Sequence, residues 1–138
     1  PGISDHGTML VQKVREALPE VKIESVPGPS ALTTALSIAG VPAHEFVFLG
    51  FLPHKKGRET LFKEIAQSER TMVFYESPHR ILKALESLLK FAPNKKVTIA
   101  RELTKIHEEI KNGTPAELLA FFNANEEKVR GEFVVIVS

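Results

Sequence analysis

The chain has 138 residues, 43% of them hydrophobic and 25% charged, which suits one folded domain with a real core and excludes global disorder. Lysine and arginine number 18 against 17 acidic residues, a net charge of +1, so any nucleic-acid contact must come from a local patch and not from bulk charge. There is no cysteine, which excludes disulfides, thiolate catalysis and cysteine-based zinc sites, and no apolar run approaches the roughly 20 residues that span a bilayer.

In chain order, apolar residues at 10, 11, 14, 17 and 18 recur at helical spacing and predict a helix from about Thr8 to Leu18, stopped by Pro19. Residues Val21 to Val26 alternate like a strand. The turn Pro27-Gly28-Pro29-Ser30 feeds a helix whose apolar face is Ala31, Leu32, Ala35, Leu36 and Ala39, with Gly40 placed as its C-terminal cap. Phe46 to Gly50 reads as a short strand, and the loop Phe51 to Gly57 carries His54, Lys55 and Lys56. A helix from about Arg58 to Gln67 buries Leu61, Phe62 and Ile65, and Thr71 to Tyr75 is a buried strand.

Ser77-Pro78 predicts a helix start, with serine as cap and proline in the first turn. Ile81, Leu82, Leu85, Leu88 and Leu89 make that helix amphipathic. Val97 to Ala100 and His107 to Lys111 are further strands, with Asn112-Gly113 read as a turn. Thr114-Pro115-Ala116-Glu117 is a capping box ahead of a helix whose Leu118, Leu119 and Phe122 face a core. Asn123 to Arg130 is read as loop, and Phe133 to Val137 as a final buried strand.

Strands alternating with helices predict an α/β domain, a central mixed sheet covered by helices on both faces. One boundary is drawn near Pro27. Residues 1–26 open in what reads as the middle of a loop and look like the remnant of a preceding domain, and residues 27–138 form the C-terminal domain. In open α/β sheets ligands sit at the carboxyl ends of strands. Five such ends are rich in Gly, Pro and polar groups: Pro1 to Asp5, Val26 to Ser30, Gly50 to His54, Tyr75 to Arg80, and Arg101 to Lys105. Each alone could be an ordinary turn; five together predict a ligand crevice. Helix starts after Ser30 and Ser77 offer backbone N–H groups to a carboxylate or phosphate. The five histidines show no metal-ligand spacing on one helix, so no metal is expected.

These residues carry a resemblance. Val26-Pro27-Gly28-Pro29-Ser30-Ala31 and Pro1-Gly2-Ile3-Ser4-Asp5 resemble motifs of the tetrapyrrole methylase superfamily. Phe48-Leu49-Gly50-Phe51-Leu52-Pro53, Phe74-Tyr75-Glu76-Ser77-Pro78-His79-Arg80, Ala100-Arg101-Glu102-Leu103-Thr104-Lys105 and Gly131-Glu132-Phe133-Val134 resemble its ribosomal RNA small-subunit methyltransferase I branch. His6 departs from the branch, which usually has proline there. The resemblance covers essentially the whole chain. It implies the C-terminal part of a cytoplasmic, homodimeric enzyme that binds S-adenosylmethionine between two α/β domains and methylates a cytidine ribose 2′-hydroxyl of 16S RNA in the small ribosomal subunit. It also implies that the N-terminal half of the donor site lies outside this chain, so that the chain alone is expected to be inactive, since contacts from both domains are needed to offset the cost of ordering the donor.

By the same resemblance, Ser30 and Ala31 line the donor site from the linker helix, and the donor's adenine end lies against Tyr75, Glu76, Leu103 and Thr104. A ribose hydroxyl is a poor nucleophile until its proton is accepted, which a carboxylate or a neutral lysine can do. Glu76, Glu102 and Lys105 are the catalytic candidates, with orientation by hydrogen bonds as the alternative role for the carboxylates. Lys55, Lys56, Arg58, His79, Arg80, Arg101 and Lys105 are the expected RNA contacts, unless Arg80 and Arg101 pair with Glu76 and Glu102. Two rival readings stand beside this one: a porphyrinoid methylase of the same superfamily, and a non-catalytic binding or dimerising module that uses the Phe121-Phe122 region.

Overall fold

The computed structural model describes residues 2–138; Pro1 of the opening motif lies outside them. In chain order the elements are α1 (Gly7–Ala17), α2 (Ala31–Ala39), β1 (Phe46–Phe51), α3 (Arg58–Gln67), β2 (Thr71–Glu76), α4 (Ile81–Phe91), β3 (Val97–Arg101), β4 (Glu109–Gly113), α5 (Pro115–Ala124), a 3₁₀ turn (Glu126–Lys128) and β5 (Phe133–Val137). The strands form one mixed sheet in the order β1-β2-β5-β3-β4, with β1 and β2 parallel and the other pairs antiparallel. The expected α/β architecture is what the chain adopts.

The sheet is buried from both sides by different partners. On one face Phe62 and Ile65 of α3, Ile81, Leu85 and Leu88 of α4, and Leu118 and Phe122 of α5 pack against Met72, Phe74, Ile99, Phe133 and Val135. On the other face α2 alone lays Leu32, Ala35, Leu36 and Ala39 over Val73, Ala100, Val134 and Ile136. Because side chains alternate along a strand, β2 and β5 supply both cores and read as continuous apolar runs. Phe121, offered above as a dimer contact, is half-buried against the first core, and Phe122 belongs to that core.

Several local expectations change. Residues 21–26 are exposed and pair with no strand among the described residues. The helix expected at Ser77-Pro78 begins later, at Ile81, because the backbone first makes a turn in which the Ser77 carbonyl accepts from Arg80 and Ile81 N–H. Ser77 thus does not cap α4. Asn112 and Gly113 continue β4 instead of turning, paired with Thr98 and Val97.

The capping box is present in full. Thr114 Oγ1 accepts from Glu117 N–H while the Glu117 carboxylate accepts from Thr114 N–H at 2.8 Å. Thr114→Ala is expected to destabilise the protein by about 0.5–2 kcal/mol, read from urea unfolding; an unchanged midpoint would show that α5 is held by packing alone.

Candidate functional site

Of the five ends that the sequence marked, those after β1, β2 and β3 are strand ends and lie on one rim, whereas neither residues 2–5 nor residues 26–30 follow a strand. Glu76 at the end of β2 pairs with Phe133 of β5, Phe133 with Arg101 at the end of β3, and Arg101 with Glu109 of β4. Cross-strand partners share a face, so these four side chains form one row along a single rim of the sheet, on the α3–α5 side. Tyr75 and Leu103 lie on the α2 side of the same rim.

On the α2 side the rim is aromatic. Phe48 and Phe51 both stand edge-on to Tyr75, at centroid distances of 4.9 and 5.4 Å. Residues 48 and 51 would point to opposite faces of a regular strand. A bulge between them, where β1 spends three residues against two of β2, re-aims Phe51 onto the Tyr75 face. Gly50 makes the bulge possible, with φ of 63° and the Ser4 Oγ only 2.6 Å from where a Cβ would stand. Phe48 and Phe51 were not singled out as site residues; Gly50 inside an apolar run was the available signal.

On the other side of the rim, Glu76 is fully buried and its oxygens are taken. Oε2 accepts from Arg58 Nη2 at 3.1 Å, and Oε1 accepts from Ser77 N–H at 2.9 Å and forms an ion pair with Arg80 Nε at 3.0 Å, whose N–H donates to Ser77 Oγ. Arg58 also donates to the Pro53 carbonyl and lies over the Phe62 ring, and Arg80 donates to the Leu52 carbonyl. The carboxylate offered as a base or donor contact therefore anchors two arginines instead, leaving only its backbone to meet a ligand. Arg80 pairs with Glu76, as the alternative reading had it, whereas Arg101 pairs with Glu109, not Glu102.

Beside this anchor a cavity of 280 Å³ is lined by His54, Lys55, Arg58, Arg80 and Lys83. Lys55, Lys56, His79 and Lys83 are exposed. Lys83 was missed by the sequence reading because it sits on the outer face of an amphipathic helix, where lysine is ordinary. A second cleft, of 430 Å³, opens at the opposite end of the sheet beside Gly40, Val97 and Gly113. It holds none of the candidate residues, and chemistry in such sheets gathers at the carboxyl rim.

Between the two sides runs the loop after β3. Glu102 and Thr104 adopt left-handed backbone conformations, φ 51° and 66°, which non-glycine residues hold only when their surroundings enforce it. Here Glu102 N–H donates to the Glu132 carbonyl and its Oε1 accepts from Glu132 N–H, while Lys105 Nζ donates to both Glu102 and Glu132. Thr104 N–H donates to the Glu108 carboxylate. The Lys105 hydrogen bond, with the Glu132 N–H, holds the Glu102 carboxyl below its ordinary range. Glu132 and then Glu102 push the Lys105 ammonium up, so it stays charged and is no neutral base in this arrangement. Glu102 is thus stabilising above its ordinary pKa, and that contribution fades as pH falls through the lowered value. Lys105→Met is expected to raise the Glu102 pKa toward its ordinary value in an NMR titration; an unmoved Glu102 would show that the ammonium does not hold it.

Ser30 and Ala31 are exposed at the start of α2. The Ser30 side chain makes no capping bond, so the N–H groups of the first turn remain available. Ala39 and Gly40, at the other end of α2, lie beside the start of β3, so the helix N-terminus points toward the rim. Among the described residues no group of His, Asp or Glu could hold a metal ion, and no helix is long and apolar enough to cross a membrane.

Residues 1–119 match the family of Tetrapyrrole (Corrin/Porphyrin) Methylases. The chain belongs to that family. Ribosomal RNA small subunit methyltransferase I of Thermotoga maritima is 41% identical over 100% of the chain, which covers 60% of that protein. Its counterpart from Vibrio cholerae is 44% identical over 99% of the chain, covering 48% of that protein. The methylase chain therefore spans about half to three fifths of these relatives' length. Solved methylases share the fold: uroporphyrin-III-C-methyltransferase from Thermus thermophilus, with a TM-score of 0.66 at 18% identity over 97% of this chain and 58% of that one, and the methyltransferase CobJ, with 0.64 at 24% identity over 94% and 57%.

Proposed function

We propose that this methylase chain supplies the acceptor-binding half of an enzyme that transfers a methyl group from S-adenosylmethionine to a cytidine ribose 2′-hydroxyl of 16S RNA. The observation that carries the reading is the basic cavity of His54, Lys55, Arg58, Arg80 and Lys83 on the same rim as the Tyr75 aromatic cluster. Cations neutralise backbone phosphates and so fix the register of a nucleic acid. The 41% and 44% identity to ribosomal RNA methyltransferases supports it.

The residues present fit the donor. Tyr75 and Phe51 offer flat apolar surface for an adenine, Leu103 is half-buried beside them, and the uncapped start of α2 at Ser30 and Ala31 can receive a carboxylate. The donor supplies an activated sulfonium methyl. Methyl transfer to a ribose oxygen would also require the hydroxyl proton to leave to a base or to water. The work of this chain is positioning. Glu76 aligns Arg58 and Arg80 for the RNA backbone, Glu102 and Lys105 lock the loop that carries Leu103 and Thr104, and Lys55, Lys56 and His79 extend the basic surface. In this reading Glu76, Glu102 and Lys105 are positioning residues, and any general base lies on the preceding domain, of which residues 1–26 are part. None of residues 2–26 is buried, as expected of a segment whose packing partner is elsewhere. A cytoplasmic homodimer completes the proposal.

The test is transfer of labelled methyl from S-adenosylmethionine by the intact protein. Small ribosomal subunits lacking the modification should gain ribose 2′-O-methyl label, and residues 1–138 alone should give none. Label on a porphyrinoid precursor and none on RNA would overturn the reading.

A further inference from the structure

The rim carries a second basic pocket on the far side of Phe133. It encloses about 300 Å³ and is lined by Arg101, His107, Glu127, Lys128 and Arg130. Its inner wall is Arg101, whose side chain is only 9% exposed. Glu109 engages it from one side only: Glu109 Oε2 lies 3.4 Å from Arg101 Nη2, and its other oxygen accepts from Lys128 Nζ at 2.7 Å. The Arg101 Nε is buried with no hydrogen-bond partner. A buried guanidinium N–H left unpaired is costly; this one is closed off from the pocket space, so the pull on an anion comes from the cations that line the pocket. Arg101, Lys128 and Arg130 face Glu109 and Glu127, so the lining keeps one net positive charge, with His107 at its mouth.

We infer that this pocket binds an oxyanion, and that the oxyanion is a second backbone phosphate of the RNA strand whose first phosphate sits in the His54–Lys83 cavity. The inference rests on the RNA reading above. Geometry links the two pockets. Glu76, which anchors the first, and Arg101, which walls the second, are both in register with Phe133 and on one face. With one strand between them, their backbones are about 10 Å apart. A strand crossing the rim is then gripped on both sides of β5, and the nucleotide between the grips is held at the edge of the sheet.

The test uses the intact protein, a single-stranded RNA oligonucleotide and the salt dependence of binding. Each neutralised phosphate of a single strand adds about 0.7 to the slope of log K against log salt. Arg130→Gln and Lys83→Gln remove exposed cations on which no core packing depends. Each should lower the slope by about 0.7 and the double variant by about 1.4. If Lys83→Gln lowers the slope and Arg130→Gln leaves it unchanged, the second grip does not exist, and the RNA reading stands. If neither variant changes the slope, the RNA reading falls with it.

Discussion

Glu76→Ala is expected to destabilise the protein by about 3–5 kcal/mol, the cost of removing one partner from a buried ion pair. The Glu76 side chain has no exposure, and those of Arg58 and Arg80 are 14% and 18% exposed. Without the carboxylate, two guanidiniums are left close together under the rim with water largely excluded, and the Ser77 N–H loses its acceptor. The loss should show as a lower urea midpoint with an unchanged slope. Methyl transfer should fall as well, because Arg58 and Arg80 line the basic cavity. A loss below about 1 kcal/mol, the scale of an exposed pair, would mean that solvent replaces the carboxylate and that Glu76 anchors nothing. Glu76→Gln separates the roles further. It keeps an acceptor but no charge, so a positioning residue should lose stability and activity together, whereas a proton acceptor would lose turnover from a stable protein.

The second large effect is expected at Gly131→Ala. Gly131 has φ of 87°, which costs an L-residue about 1–3 kcal/mol. A Cβ there also overlaps the Glu102 carboxylate. Glu102 must then move, giving up its bonds to Glu132 N–H and Lys105, and the left-handed loop it stabilises loses its fastening. Displacement of the reacting groups by about 1 Å can cost on the order of 100-fold in rate, so transfer should drop by more than the stability change explains. The two sites should couple. In a Glu102→Ala background the overlap is gone and only the backbone cost remains, so Gly131→Ala should lose less there. Equal losses in both backgrounds would show that the contact between Gly131 and Glu102 carries no weight.

The parts of this molecule that local chemistry dictates were legible in the sequence. Apolar periodicity located α2 through α5 and β5, and Thr114, Pro115 and Glu117 announced the start of α5, because each of those signals acts within one turn or one strand. Longer-range facts were not. Ser77-Pro78 has the composition of a helix start, but the following residues make a turn first. Residues 21–26 have the alternation of a strand and no partner to pair with among the described residues. Which carboxylate meets which arginine depends on register: Arg101 faces Glu109 because β4 pairs with β3, and sequence proximity to Glu102 gave no hint of it. The bulge at Gly50 likewise decides that Phe51 joins Tyr75, a choice of face that spacing alone gives the other way.

The sheet order has a consequence for how the chain is made. β5 comes last along the sequence yet lies at the centre of the sheet, between β2 and β3. Until it arrives, β1–β2 and β3–β4 are two separate ribbons, each with an apolar edge awaiting the same strand. A chain emerging from the ribosome N-terminus first can shape its helices early, but it cannot close its sheet until Phe133–Val137 has left the tunnel. During that interval the two open edges are templates for pairing with other chains. Loss of the last strand would therefore leave two aggregation-prone halves, so the yield of soluble protein should depend on these five residues far more steeply than on any loop of equal length.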